Sequence, residues 1–128
     1  MKKILTCIFA GIFFFMQAVG QPEVEDVAKA LQAGEVAYIA RHFDNLVEIS
    51  IANEQSTYSK TQAERVLDNF FTKNKVKEFS VRHQGGNTSD NAIFVIGDLL
   101  TVQGTYRVYL MFKKKKDDSF SLQELRFE

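Results

Sequence analysis

The apolar positions of this chain change period along its length, and the changes divide it into elements. After Pro22, Val24, Val27, Ala28 and Leu31 recur on one helical face. A proline in the first turn with Glu23, Glu25 and Asp26 beside it suits a helix start, and Gly34 suits a stop. Val36, Ile39, Ala40 and Phe43 extend the period into a second short helix, whose other face carries Tyr38, Arg41 and His42; Asp44-Asn45 then turns the chain. Val47, Ile49 and Ile51 alternate with Glu48 and Ser50, the pattern of a half-buried strand. Residues 53–57 are polar and are expected to form a loop. Ser59-Lys60-Thr61-Gln62 has the form of a capping box. It opens a third helix with an apolar stripe of Ala63, Val66, Leu67, Phe70 and Phe71, closed by Lys73-Asn74-Lys75.

Beyond Asn74 the period is two. Strands are predicted over 76–84, 92–103, 105–114 and 120–127, separated by a loop at 85–90, a turn at Gly104 and a turn at 115–119. The predicted order is helix, helix, strand, helix, then four strands. An antiparallel sheet with its helices on one face is the economical packing.

Parity assigns the two faces of that sheet. Pairing Val102 with Thr105 puts the odd positions from Ile93 to Thr101 and the even positions from Tyr106 to Phe112 on one almost wholly apolar face, with Thr101 opposite Tyr106. Phe79 and Val81 share this face, which the helices are expected to cover. In the last strand Phe120 and Leu122 are out of phase with Leu125 and Phe127, so a β-bulge is predicted near Gln123-Glu124. The opposite face mixes Glu78, Arg82, Asp98 and Arg107 with Phe94, Ile96, Leu100, Tyr109 and Met111. It is apolar enough to suggest an interface, and Phe94, Ile96, Leu100, Arg107, Tyr109 and Met111 are its candidate residues for a homodimer. The plainer alternative is a solvated face with scattered hydrophobics.

The N-terminus changes the picture most. Lys2-Lys3, the unbroken apolar run from Ile4 to Met16, and small residues at Ala18 and Gly20 have the form of a secretory signal peptide. A membrane-spanning helix needs about 20 apolar residues, more than this run supplies before Gln17. The expected division is a leader at 1–20 and one domain at 21–128, working in the periplasm or outside the cell, with membrane contact only through the leader if it stays uncleaved. The only cysteine, Cys7, lies in the leader, so packing alone must hold the domain. Sixteen basic side chains balance sixteen acidic ones, and Lys2 and Lys3 go with the leader. That balance gives no support for nucleic acid as partner.

Ala30-Leu31-Gln32-Ala33-Gly34, Tyr58 to Glu64, Asp68-Asn69-Phe70-Phe71, Gly104 to Tyr109 and the closing Leu125-Arg126-Phe127-Glu128 carry a resemblance. In element order the chain resembles the nuclear transport factor 2-like, or cystatin-like, superfamily over essentially the whole of 22–128. In local text it is similar to a family of small secreted proteins of Gram-negative bacteria whose function is unknown. The resemblance implies an α+β fold in which three helices pack into the concave face of a curved antiparallel sheet. It implies no activity, because that superfamily hosts isomerases, dehydratases and non-enzymatic binding domains alike.

Candidate chemistry is sparse. Enzymes of this architecture need a carboxylate or a His/Asp pair inside the cone, and the predicted inner face holds no acid; Asp98 falls on the other side. His83 shares phase with Phe79 and Val81, so it is a candidate pocket residue, against a plainer place at the sheet rim. Thr101, Tyr106 and Tyr58 are candidates to offer hydroxyls to a ligand, against a structural role satisfying their own hydrogen bonds. His42 is expected at the surface. The histidines have no partners at metal-ligand spacing, and no catalytic triad, metal site or cofactor motif is expected. Lys113 to Lys116, followed by Asp117-Asp118, is a charge run at a hairpin tip: a solvated turn, or a contact for anionic lipid or polysaccharide. The leading expectation is a non-enzymatic module that binds a protein or small molecule. The alternative is an isomerase- or dehydratase-like enzyme built on His83, Tyr106 and Tyr58.

Overall fold

The computed structural model describes residues 22–87 and 91–128, so the expected leader at 1–20 lies outside the described residues. The elements are α1 (Pro22–Ala33), α2 (Val36–Ala40), β1 (Phe43–Ile51), β2 (Glu54–Ser59), α3 (Lys60–Lys73), β3 (Val76–Asn87), β4 (Ala92–Thr101), β5 (Gly104–Lys114) and β6 (Phe120–Phe127). The strands form one sheet in the order β2-β1-β6-β5-β4-β3. All neighbours are antiparallel except β1 and β6, which run parallel. The three helices cover one face, giving the α+β architecture that the sequence predicts.

The capping box at α3 forms as written. The Ser59 hydroxyl accepts from the Gln62 N–H at 3.3 Å, and the Ser59 N–H donates to Gln62 Oε1 at 3.2 Å. Such a cap is worth about 1 kcal/mol. It aims the stripe of Ala63, Leu67, Phe70 and Phe71 at the sheet, where all four are buried. Phe70 stacks on Phe127 with ring centroids 4.3 Å apart and meets Phe71 and Tyr106 edge-on. α1 is tied to β3 by Gln32, whose Oε1 accepts from the Phe79 N–H at 3.2 Å.

The inner face follows the predicted parity. Leu99 and Val108 are completely buried, as are Phe112, Leu122, Leu125 and Phe127, while Asp98 lies on the other side opposite Arg107. The predicted bulge in β6 is present: Phe112 pairs with Leu122 and Met111 with Glu124, leaving Gln123 extra. Two more extra residues, Lys77 and Arg82, interrupt β3 against β4. Bulges of this kind bend strands and raise their twist, which curves the sheet around α3.

Several expectations need correction. Phe43 begins β1 rather than ending a helix, so Asp44-Asn45 is strand and not turn. The loop expected at 53–57 is strand β2, joined to β1 by a two-residue turn in which Ala52 (φ 49°) and Asn53 (φ 69°) are both left-handed. That geometry matches strand twist and closes a tight hairpin. Gly85 and Gly86 belong to β3, not to a loop. The β4–β5 turn is centred one residue earlier than predicted: Thr101 pairs with Gly104 and Leu99 with Tyr106. The Thr101 hydroxyl fixes it by accepting from the Gln103 N–H at 3.1 Å and donating to the Gly104 carbonyl at 2.8 Å. Partners shift by two residues, which preserves every side chain's face.

Candidate functional site

The predicted pocket residues are not brought together. His83 was expected to follow Phe79 and Val81 inward. The bulge at Arg82 inverts the parity of β3, so His83 pairs with Ile96 and is exposed on the outer face. Val81 keeps its inward phase opposite Gly97 but is 44% exposed. Tyr58 sits on the edge strand β2 opposite Val47, half-buried against the core. Thr101 spends its hydroxyl on its own turn, and it is not opposite Tyr106. The Tyr106 hydroxyl donates to Asn74 Oδ1 at 3.0 Å, and Asn74 Nδ2 donates in turn to the Phe70 carbonyl at 2.9 Å. Beside them lies a cleft of about 310 Å³ between the end of α3 and the sheet. Among the described residues, the buried polar side chains are Ser50, Asn74, Thr101 and Ser121, none of them ionisable. No group of three metal-ligating side chains occurs among the described residues.

The outer sheet face has a regular order. Its rows cross the strands as His83–Ile96–Tyr109–Arg126, Gly85–Phe94–Met111–Glu124 and Ser80–Asp98–Arg107. Phe94, Leu100 and Val102 are 52%, 40% and 51% exposed. The bulge that turns His83 outward leaves Arg82 on this face, where alternation also placed it. Arg82 Nε donates to Asp98 Oδ2 at 2.7 Å and Arg107 Nε to Asp98 Oδ1 at 2.8 Å. These two guanidinium bonds, that of Arg82 first, hold the Asp98 carboxyl below its ordinary value. Phe94, Ile96, Tyr109, Met111, Glu124 and Arg126 line a shallow depression of about 420 Å³. In it the Arg126 guanidinium lies 5.5 Å from the Tyr109 ring centroid and its Nη2 donates to Glu128. The six candidate residues Phe94, Ile96, Leu100, Arg107, Tyr109 and Met111 lie on this one face.

A second feature escaped sequence reasoning. A groove of about 550 Å³ runs between α1 and α2, with Asp26 and Lys29 on one wall and Tyr38, Arg41 and His42 on the other. His42 Nε2 lies 3.6 Å from Asp26 Oδ2, and the Arg41 guanidinium stacks 4.6 Å from the Tyr38 ring. The polar face of α2 was legible as a signal; its facing partner on α1 was not.

This geometry defines a class. A bent six-strand sheet with three helices on its inner face is the nuclear transport factor 2-like fold, and a protein of that fold and unknown function from Cytophaga hutchinsonii superposes with a TM-score of 0.58. It is 11% identical and the match covers 83% of this chain and 85% of that one, so it bears on fold alone. Within the class, the family model for the domain of unknown function DUF4783 matches residues 24–128, and the chain belongs to that family. Crystal structures of family members from Bacteroides uniformis and Bacteroides ovatus agree. The first is 31% identical with a TM-score of 0.76, over 81% of this chain and 94% of that one. The second is 30% identical with a TM-score of 0.76, over 80% and 90%. No curated protein matches the chain.

Proposed function

We propose that the domain is an exported, non-enzymatic docking module whose outer sheet face pairs with a second copy of itself. One observation carries this reading: on the outer sheet face Phe94 stands in solvent at the depression beside Tyr109 and Met111, and Leu100 stands in solvent further along the same strand. Apolar patches of this kind are uncommon on a monomer without a partner. A two-fold pair requires a surface complementary to itself. The cations Arg82, Arg107 and Arg126 are interspersed on this face with the acids Glu78, Asp98 and Glu124, a pattern that supports self-pairing over pairing with a surface of one charge. Export follows from the leader's sequence. The catalytic alternative gains no support, since His83, Tyr106 and Tyr58 lie on the outer face, the inner face and an edge strand.

Sedimentation equilibrium of residues 21–128, with the variant F94D/L100D beside it, tests the pairing. The expected result is a dimer that the variant dissociates while still unfolding cooperatively, at the melting temperature that the parent shows when diluted to monomer. A strict monomer at high concentration, or a dimer that the variant leaves intact, overturns it.

A further inference from the structure

A separate surface lies at one end of the sheet. Lys113 and Lys114 end β5, and Lys115 and Lys116 continue into the turn; all four side chains are exposed. The tip is held in shape. The Lys115 N–H donates to the Ser119 carbonyl at 2.7 Å, and Asp117 Oδ1 accepts from the Ser119 hydroxyl at 2.5 Å and its N–H at 3.0 Å. The same bonds, the hydroxyl's first, lower the Asp117 carboxyl below its usual value. Lys114 is bridged to Asp118 at 3.3 Å; among the described residues it is the one lysine of the four in an ion pair.

The position of this tip gives the charge a meaning. Lys114 pairs directly with Phe120, and the Phe120 N–H donates to Glu23 Oε1 at 3.3 Å. Glu23 stands in the first turn of α1. Neighbouring strands lie about 4.8 Å apart. The lysine tip is therefore beside the point where the leader joins the domain. A leader kept at a bilayer would hold these lysines of the folded domain near that bilayer's surface.

We infer that the Lys113–Lys116 tip is a docking surface for an anionic, phosphate-bearing membrane, at the end of the domain from which the leader departs. Juxtamembrane lysines are attracted to anionic headgroups within roughly a Debye length. The tip is an exposed hairpin end, which lets several of its ammonium groups reach a plane at once. This surface is distinct from the outer sheet face, and its test is independent of the pairing reading.

The test is co-sedimentation of residues 21–128 with vesicles of pure phosphatidylglycerol or pure phosphatidylcholine at low ionic strength. This segment contains the whole described core. Binding is expected to phosphatidylglycerol only, and to fall as salt is raised. K113Q/K114Q/K115Q/K116Q should reduce partitioning by at least about tenfold, since each lysine near the surface is worth up to about fivefold and the adjacent aspartates offset part of it. The charge-matched variant K60Q/K73Q/K75Q/K77Q, with all four positions exposed elsewhere, should keep most of the binding. Circular dichroism melts of both variants check folding. Absence of phosphatidylglycerol binding, equal losses in the two variants, or capture by soluble dextran sulfate without vesicle binding would each overturn the inference.

Discussion

The two faces of β4 and β5 are written in alternate residues of the same strands, yet they obey different rules. Inward, Leu99, Val108, Leu110 and Phe112 are sealed against the helices. Outward, Phe94 and Leu100 remain in water beside Asp98 and its two arginines. Backbone geometry is common to both, so what differs is cover. An inner side chain is worth its transfer from water plus the space it fills. An outer one contributes little to folding and is available for contact with another molecule.

The largest expected effect tests that contrast directly. Phe127→Ala removes a fully buried ring that packs on Phe70 and Phe71. A loss of about 3–5 kcal/mol is expected in urea denaturation. Phe94→Ala, which deletes a ring of the same size from the outer face, should change stability by no more than about 0.5 kcal/mol when measured at a dilution that keeps the chain monomeric. Comparable losses at the two positions would mean that the outer face is sealed within the monomer.

A glycine pair sharpens the same contrast with a smaller change. At Gly97 an added Cβ would lie 2.5 Å from the Phe79 ring and 2.7 Å from the Ser80 carbonyl oxygen. The carbonyl belongs to the paired strand and cannot swing away. Gly97→Ala is expected to cost at least about 1–3 kcal/mol. At Gly85, past the bulge, the nearest atom is His83 Nε2 at 3.5 Å, an ordinary contact. Gly85→Ala should fall within about 0.5 kcal/mol of the parent in the same assay.

Where the sequence spoke clearly, a buried apolar face did the speaking. Leu99 and Asp98 could be sorted because an unbroken apolar set tolerates only one parity. The bulge at Gln123 was legible because Leu122 and Leu125 break phase within an apolar pattern. The bulge at Arg82 was silent, since Val81, Arg82 and His83 all end up exposed and neither parity is penalised. That is why His83 was read to the wrong side. The edge strand β2 was missed for a related reason: Glu54 to Thr57 are exposed on both faces, so no alternation marks them. The β4–β5 register depended on the hydroxyl of Thr101, which no periodicity reports. The α1–α2 groove needed Asp26 and His42, on different elements, to meet in space.

The smallest expected effect concerns acid, and it ties the outer face back to folding. The Asp98 carboxyl is held below its unfolded value of 3.8 by Arg82 first and Arg107 after it. A carboxylate depressed in the folded state stabilises above its unfolded value, and that contribution disappears as pH falls through the folded value. Stability should therefore decline from just under pH 3.8 downward. In Asp98→Asn the share owed to this residue should be absent, while the share from Asp117, likewise depressed, remains. At neutral pH Asp98→Asn also leaves two guanidinium groups facing a neutral amide. Because these groups are exposed, the difference from the parent should be small in thermal melts and should shrink further with added salt. If the outer faces pair, the cluster becomes desolvated and the same difference should grow with protein concentration. Melts repeated across a concentration series separate the two cases: a difference independent of concentration belongs to the monomer's surface, and one that rises belongs to the interface.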